Sequence, residues 1–323
     1  MAAASQTARQ KQAAADALNA SFRRAILVAA VNPAVRRLVE RYGMRLGAAR
    51  FVAGETLDEA VAVLRRLNEE GFHSNTTLLG EGVRERSQAE AAVEAYRAIL
   101  DRLHAERLRT NVALKLTHLG LGLDRDLAER NLVALLEHAA MRANFVRIDM
   151  EESHYVDDTL HIYRRARELG HDNVGAVLQA YLHRTPSDLE ALLPLRPNLR
   201  LVKGAYREPP SLALQRKADV DRAYLRLIER ALLGGSRTCV ATHDEAAIEH
   251  VRRFTAEHGV GAETFEFQML YGVRPALQRR LLAAGYKVLV ATPYGRDWYP
   301  YLTRRLAERP ANLAFFLRNV VRA

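Results

Sequence analysis

Eight short apolar or β-branched runs, separated by longer amphipathic stretches, constrain what this chain can fold into more than any other feature. They fall at 72–77, 112–116, 145–149, 174–179, 199–202, 238–242, 264–268 and 287–291. Between them stand helical patterns such as SQAEAAVEAYRAILDRLHAE and LDRDLAERNLVALLEHAAMRAN. Regular alternation of this kind implies a parallel sheet, because parallel neighbours need a crossover connection. Eight units fit a closed (β/α)8 TIM-type barrel better than an open doubly wound sheet, and no Gly-x-Gly-x-x-Gly turn offers a dinucleotide fold instead. With 323 residues, 49% of them hydrophobic, the chain can fill such a core.

Up to about residue 70 the pattern is helical. In GETLDEAVAVLRRLNEEG, Thr56 is placed as an N-cap, Glu59 as its capping-box partner and Gly71 as the terminator. No linker or repeat divides the remainder of the chain. The expected organisation is a helical N-terminal arm over 1–70 and a barrel domain carrying cofactor and substrate over 71–323.

A single cysteine, Cys239, precludes an intrachain disulfide, which fits a reducing compartment. The first twenty residues lack the apolar core of a secretory signal, and the run Ala25 to Val31 is far shorter than the roughly 20 residues of a membrane span. A cytoplasmic location is expected. The net charge of +10 comes mostly from arginine, with lysine only at 11, 115, 203, 217 and 287. Because the arginines are dispersed as pairs along helices, solvated helix faces explain them better than a nucleic-acid surface.

A barrel of this type builds its site at the C-terminal ends of its strands. There the runs present Glu81, Lys115, Asp149, Gln179, the segment RLVKGAY, the segment ATHDE and the segment FEFQMLYG. Lys115 and Lys203 are costly to bury without an anion, so each is a candidate for an internal ion pair or a ligand contact. Gly204 and Ala205 allow close backbone approach, and Arg200 with Lys203 adds positive charge suited to an anionic cofactor. Thr242 and His243 end run 6, with no second histidine at metal-ligand spacing, so no metal is expected.

In GRDWYPYLTRRLAERPAN, Tyr301, Arg304, Arg305 and Glu308 share one helix face, while Leu302 and Leu306 lie elsewhere. An Arg304–Glu308 pair on a solvated face is one reading. A guanidinium fork for a small carboxylate is the other.

These segments, together with FVAGETLDEA, LKLTHLG, VRIDMEES and LQAYLHR, occur in an order that resembles the proline dehydrogenase family in its short monofunctional form, from about residue 50 to 320. The resemblance implies oxidation of L-proline to Δ1-pyrroline-5-carboxylate, the first step of proline catabolism, by non-covalent FAD that is reoxidised by membrane quinone. It assigns Lys115, Arg304 and Arg305 to substrate binding, and Asp149 and Arg200 to the catalytic centre. It draws FAD contacts from Met150, Gln179, Arg200, Val202, Lys203, Gly204, Ala205, Thr242 and His243. Tyr206 and Tyr301 become pocket walls, Glu308 supports the arginines, and Glu81 pairs with Arg304 as a gate. Peripheral contact with the inner membrane face is implied as well.

Two positions depart from the family pattern. Ala291 stands where a tyrosine is usual, and Thr77 where an aspartate is common. The missing ring enlarges the expected pocket, so hydroxyproline or an N-alkylated proline is an alternative substrate. The rival readings are a basic scaffold that binds nucleic acid or membrane without flavin, and a metal-assisted lyase. The strand-end constellation disfavours the first and the absence of a metal-spaced cluster the second.

Overall fold

The computed structural model describes residues 32–80 and 82–308. Strands β1 (His73–Leu78), β2 (Thr110–Lys115), β3 (Val146–Asp149), β4 (Val174–Gln179), β5 (Asn198–Val202), β6 (Arg237–Ala241), β7 (Phe265–Leu270) and β8 (Val288–Tyr294) form a closed parallel barrel in chain order. All eight expected runs are strands, within a few residues at each end. The last runs on to Tyr294 rather than stopping at 291, because the polar and proline residues after the apolar run still fit the ladder.

Strand parity decides which residues reach the interior. Val112, Leu114, Val146, Ile148, Leu199, Leu201, Val240, Phe267, Val288 and Val290 are fully buried. They occupy one face, which the crossover helices cover, and the alternate residues face inward. That inner face is polar. Arg147 Nη1 donates to the carbonyl of Asn198 at 2.7 Å, and Arg200 donates to Asp149 and Gln268, contacts between strands that are not neighbours and that therefore cross the barrel interior. Cys239 belongs to the same interior, and burial pushes its thiol up to about 12.

Gly175 makes room for this arrangement. A Cβ there would overlap the Arg147 guanidinium and sit 2.6 Å from the Asn198 carbonyl oxygen. Arg147 also lies over the Phe145 ring, 5.0 Å from its centroid.

By its contacts the chain divides into two compact units, 61–293 and, among the remaining described residues, 32–60 with 294–308. The second contains helix α1 (Pro33–Leu46) and helix α10 (Trp298–Glu308), numbered along the chain so that α2 is Leu57–Glu69 and α3 to α9 are the crossovers. Trp298 is 1% exposed, and its indole N–H donates to Glu55 at 2.7 Å. Gly54 and Gly295, both at positive φ, join backbone to backbone at 3.0 Å.

The start of α2 is the expected capping box. Glu59 Oε2 accepts from the amides of Glu55 and Thr56, and the Glu59 amide donates to Thr56 Oγ1. Those amide bonds hold the Glu59 carboxyl below its ordinary range. Gly71 at φ +93 ends the helix, its amide bonding Asn68 and that of Phe72 bonding Leu67, the double return of a Schellman motif.

Gly175→Ala is expected to cost about 3 kcal/mol, since backbone and a buried guanidinium must both move. A urea midpoint indistinguishable from wild type would show that the interior is loosely packed there.

Candidate active site

Strand β3 ends on Asp149, and β5 carries Arg200 at its centre. The guanidinium, 10% exposed against 25% for the carboxylate, donates from Nη1 to Asp149 Oδ1 at 2.7 Å. Its Nε donates to Gln268 Oε1 at 2.6 Å. Lys115, ending β2, stands in register with Asp149 and is half-buried. Arg200 is thus a residue that holds the aspartate.

Gln179 at the end of β4 is 3% exposed. Its Nε2 donates to the carbonyls of Met150 at 3.3 Å and Glu151 at 3.0 Å. Its Oε1 is buried and takes no hydrogen bond from the described residues. A buried acceptor without a donor costs roughly 1–3 kcal/mol, which an incoming donor would recover.

Beyond β5 the chain follows Val202, Lys203, Gly204, Ala205 and Tyr206. The Tyr181 amide donates to the Lys203 carbonyl at 2.9 Å, and that of Ala180 to Val202 at 2.8 Å, so this exit is tied to the one after β4. Gly204 has φ +116, and a Cβ would overlap the Tyr181 ring. The Lys203 ammonium sits between the carboxylates of Asp221 and Asp244. The positive charge expected to await an anion is thereby already matched by two carboxylates, and what the segment offers a ligand is backbone.

At the end of β6, Thr242 is 7% exposed and its Oγ1 accepts from the Asp244 amide at 3.1 Å. His243 Nε2 accepts from the Leu270 amide at 2.9 Å, which places the ring's proton on Nδ1 in the neutral form. Arg274 donates to the His243 carbonyl at 2.8 Å.

In the other compact unit, α10 presents Tyr301, Arg304 and Arg305 half-buried, with Leu302 1% exposed on a different side, as the spacing predicts. The Arg305 guanidinium lies 5.5 Å from the Tyr301 ring centroid. Glu81 and the side chain of Glu308 lie outside the described residues.

Sequence reasoning passed over three groups. Glu151, 2% exposed, accepts from the Thr117 amide at 3.0 Å and from its hydroxyl at 2.6 Å. Glu266 and Gln268 lie within FEFQMLYG, and their spacing of two places both on one face of β7. That parity was the available signal. Glu151 carried none, because nothing in the sequence reveals that the segment after β3 buries this carboxyl against Thr117.

A cavity of about 340 Å3 opens at the opposite, N-terminal end of the barrel, where His73, Arg107, Arg109, Arg142 and Lys287 line it. It contains none of the strand-end residues. The chemistry is therefore sought at the strand C-termini, where the polar side chains converge and one buried acceptor is open.

Burial pushes the Glu151 carboxyl above the ordinary range, against the Thr117 hydrogen bonds and the nearby Lys115 charge. A carboxyl that holds its proton more tightly folded than unfolded loses stability as pH rises from the ordinary carboxylate range through its raised value. Glu151→Gln, which keeps one acceptor and one donor for Thr117, is expected to remove that slope. Urea midpoints at pH 5 and pH 8 check it: an equal change in both proteins counts against an ionising Glu151.

The proline dehydrogenase family profile matches residues 60–318. Proline dehydrogenase 1 of Bacillus subtilis subsp. natto is 40% identical over 301 residues, 93% of this chain and 99% of its own length. Proline dehydrogenase of Deinococcus radiodurans is 41% identical over 305 residues, 93% of this chain and 98% of its own. The fold is similar to that of proline utilization A from Bdellovibrio bacteriovorus inactivated by N-propargylglycine, with a TM-score of 0.75 at 24% identity over 81% of this chain. This chain spans 32% of that larger protein. A matched profile over most of its length and full-length relatives at this identity make the chain a member of the proline dehydrogenase family, a flavoenzyme family.

Proposed function

We propose that this protein oxidises L-proline to Δ1-pyrroline-5-carboxylate in proline catabolism, with FAD as hydride acceptor and a membrane quinone as the outlet for electrons. The observation that carries the reading is the strand-end set of Asp149, Arg200 and Gln179 in a chain of this family. Oxidation removes a hydride from C5 and the proton from nitrogen, leaving a C=N bond. No covalent intermediate with the protein is needed, so positioning dominates.

The residues present fit a flavin. The Gln179 Oε1 is a buried acceptor awaiting a donor, as the imide of an isoalloxazine ring would provide. Gly204 and Ala205 offer backbone without bulk. Bound FAD supplies a two-electron sink, with Met150, Gln179, Arg200, Val202, Lys203, Gly204, Ala205, Thr242 and His243 as its proposed contacts. Arg200 contributes a cation fixed by its contact with Asp149. A preoriented charge of this kind needs no reorganisation as electron density arrives.

Arg304 and Arg305 take the proline carboxylate in this reading. Lys115, Tyr206 and Tyr301 complete the substrate contacts, with Glu308 and Glu81 supporting the arginines. Among the described residues no helix is long and apolar enough to cross a membrane. Quinone access then requires the protein to approach the bilayer from outside, which the net charge of +10 favours at an anionic surface.

Anaerobic addition of L-proline is expected to bleach the flavin of the purified protein, and a colourless protein that leaves proline unchanged would end this reading. Arg304→Met and Arg305→Met are expected to keep the flavin and to raise the proline KM by about ten- to a hundred-fold each, the worth of a charge-assisted contact. An unchanged KM in both removes the clamp.

One observation favours a broader substrate range. Ala291 pairs with Leu270 in register and alternates with Val290, which lies on the face the helices cover, so its methyl points into the barrel. Tyr294, three residues on in the same strand, falls on the other face and is 4% exposed. Its ring therefore does not replace the one missing at Ala291. Ala291→Tyr is expected to lower the KM for L-proline and to sharpen discrimination against 4-hydroxyproline, with flavin content unchanged. Equal loss of activity with both substrates would mean that the added ring clashes.

A further inference from the structure

Strand β7 carries two buried polar side chains to which the proposed reaction gives no part of their own. Glu266 and Gln268 are 6% and 4% exposed, and Phe267 between them packs on the opposite face. Glu266 accepts from the Lys287 ammonium at 2.8 Å and from Gln268 Nε2 at 2.6 Å. Gln268 Oε1 accepts from Arg200 Nε at 2.6 Å, and Arg200 Nη1 donates to Asp149 at 2.7 Å. One continuous file thus runs from Lys287, just ahead of β8 at the N-terminal end of the barrel, to Asp149 at the C-terminal end of β3.

The file has only one workable polarity. Ammonium and guanidinium groups only donate, and ionised carboxylates only accept. The group between Glu266 and Arg200 must therefore donate one way and accept the other, which among neutral side chains of this reach is an amide. Flipping the Gln268 amide would set its oxygen against a carboxylate and its NH2 against a guanidinium. A carboxylate at 268 would face Glu266 across a hydrogen-bond distance, and an apolar side chain would leave Arg200 Nε without its acceptor.

The charges also close. Lys287 balances Glu266, Arg200 balances Asp149, and Gln268 is neutral. Burial works against a charge on Glu266, yet Lys287, the Gln268 amide and Arg147 outweigh it and hold the carboxyl below its ordinary range.

We propose that Gln268 is a positioning residue for the Arg200–Asp149 pair, held in its one productive orientation by Glu266 and Lys287. The proposal rests on the assignment of Arg200 and Asp149 to the catalytic centre. Gln268 itself is given no contact with substrate or flavin. It fixes where the guanidinium points, and through it the carboxylate.

The test compares Gln268→Met, Gln268→Glu and the exchange variant carrying Glu266→Gln with Gln268→Glu. The exchange keeps net charge and leaves every donor facing an acceptor, because Lys287 then donates to the amide oxygen, the amide NH2 to the new carboxylate, and Arg200 to that carboxylate; only the bond between 266 and 268 is reversed. Gln268→Met and Gln268→Glu are expected to slow flavin reduction by proline about ten- to a hundred-fold, with the proline KM within about threefold of wild type. The midpoint potential of the flavin is expected to shift in the substrate-free protein, and the exchange variant to recover the wild-type rate within about threefold. A structural role alone would lower stability without this split between kcat and KM and without rescue by exchange.

Wild-type reduction rate and potential in Gln268→Met overturn the proposal, as does a folded, flavin-loaded exchange variant no better than Gln268→Glu. Should Gln268→Met fail to fold, the two glutamate variants decide alone. A crystal structure of Gln268→Met reads the claim without reference to turnover: displacement of Arg200 from Asp149 supports it, and a retained 2.7 Å contact sinks it. If the wild-type protein is not reduced by proline at all, the functional reading falls, while the crystal structure of the variant still decides the positioning claim.

Discussion

Inside this barrel, charge is held by charge and by amide across strands that are not neighbours, and most of the structure is arranged around that requirement. Arg147 is 2% exposed and meets the Ala176 and Asn198 carbonyls. A buried guanidinium without such acceptors would cost several kcal/mol. Meeting it fixes several other choices. Position 175 must be glycine, Asn198 must present both its carbonyl and its side chain, and Glu266 must lie close enough to offset the charge. The apolar residues of the same strands point outward under the helices, where ordinary packing suffices.

This polar interior ties the two ends of the barrel together. The pairs that matter at the C-terminal end are the last members of a file that starts near Lys287, so their geometry is inherited from layers below. Side chains on loops alone would be freer to move. Here Asp149 and Arg200 each belong to a strand, and each is oriented by a partner that is itself hydrogen-bonded.

The other compact unit solves a different problem. Its geometry depends on backbone meeting backbone at Gly54 and Gly295, both at φ values that L side chains rarely adopt, and on Trp298 reaching Glu55. Gly43 lies so close to Trp298 that a Cβ would come within 2.6 Å of the indole. In the sequence, Gly54 and Gly295 simply open the segments GETLDEAVAVLRRLNEEG and GRDWYPYLTRRLAERPAN. That the two residues bond each other is visible only once the chain returns on itself.

What the sequence determined by itself was local and periodic. Short apolar or β-branched runs marked all eight strands, the Thr56/Glu59 box and Gly71 marked both ends of a helix, and the i, i+3, i+4 spacing separated Arg304 and Arg305 from Leu302. These depend on neighbours a few positions apart, so the sequence carries them directly. It singled out Asp149, a charged group that ends an apolar strand, and Arg200, a cation within RLVKGAY. Tertiary structure alone decided the partners. That Asp149 is held by Arg200, that Lys203 is spent on Asp221 and Asp244, and that Gln268 stands between Glu266 and Arg200 all follow from barrel closure and register. Closure brings strands 3, 5 and 7 to face one another across the interior, and no separation along the chain reveals which side chains meet there.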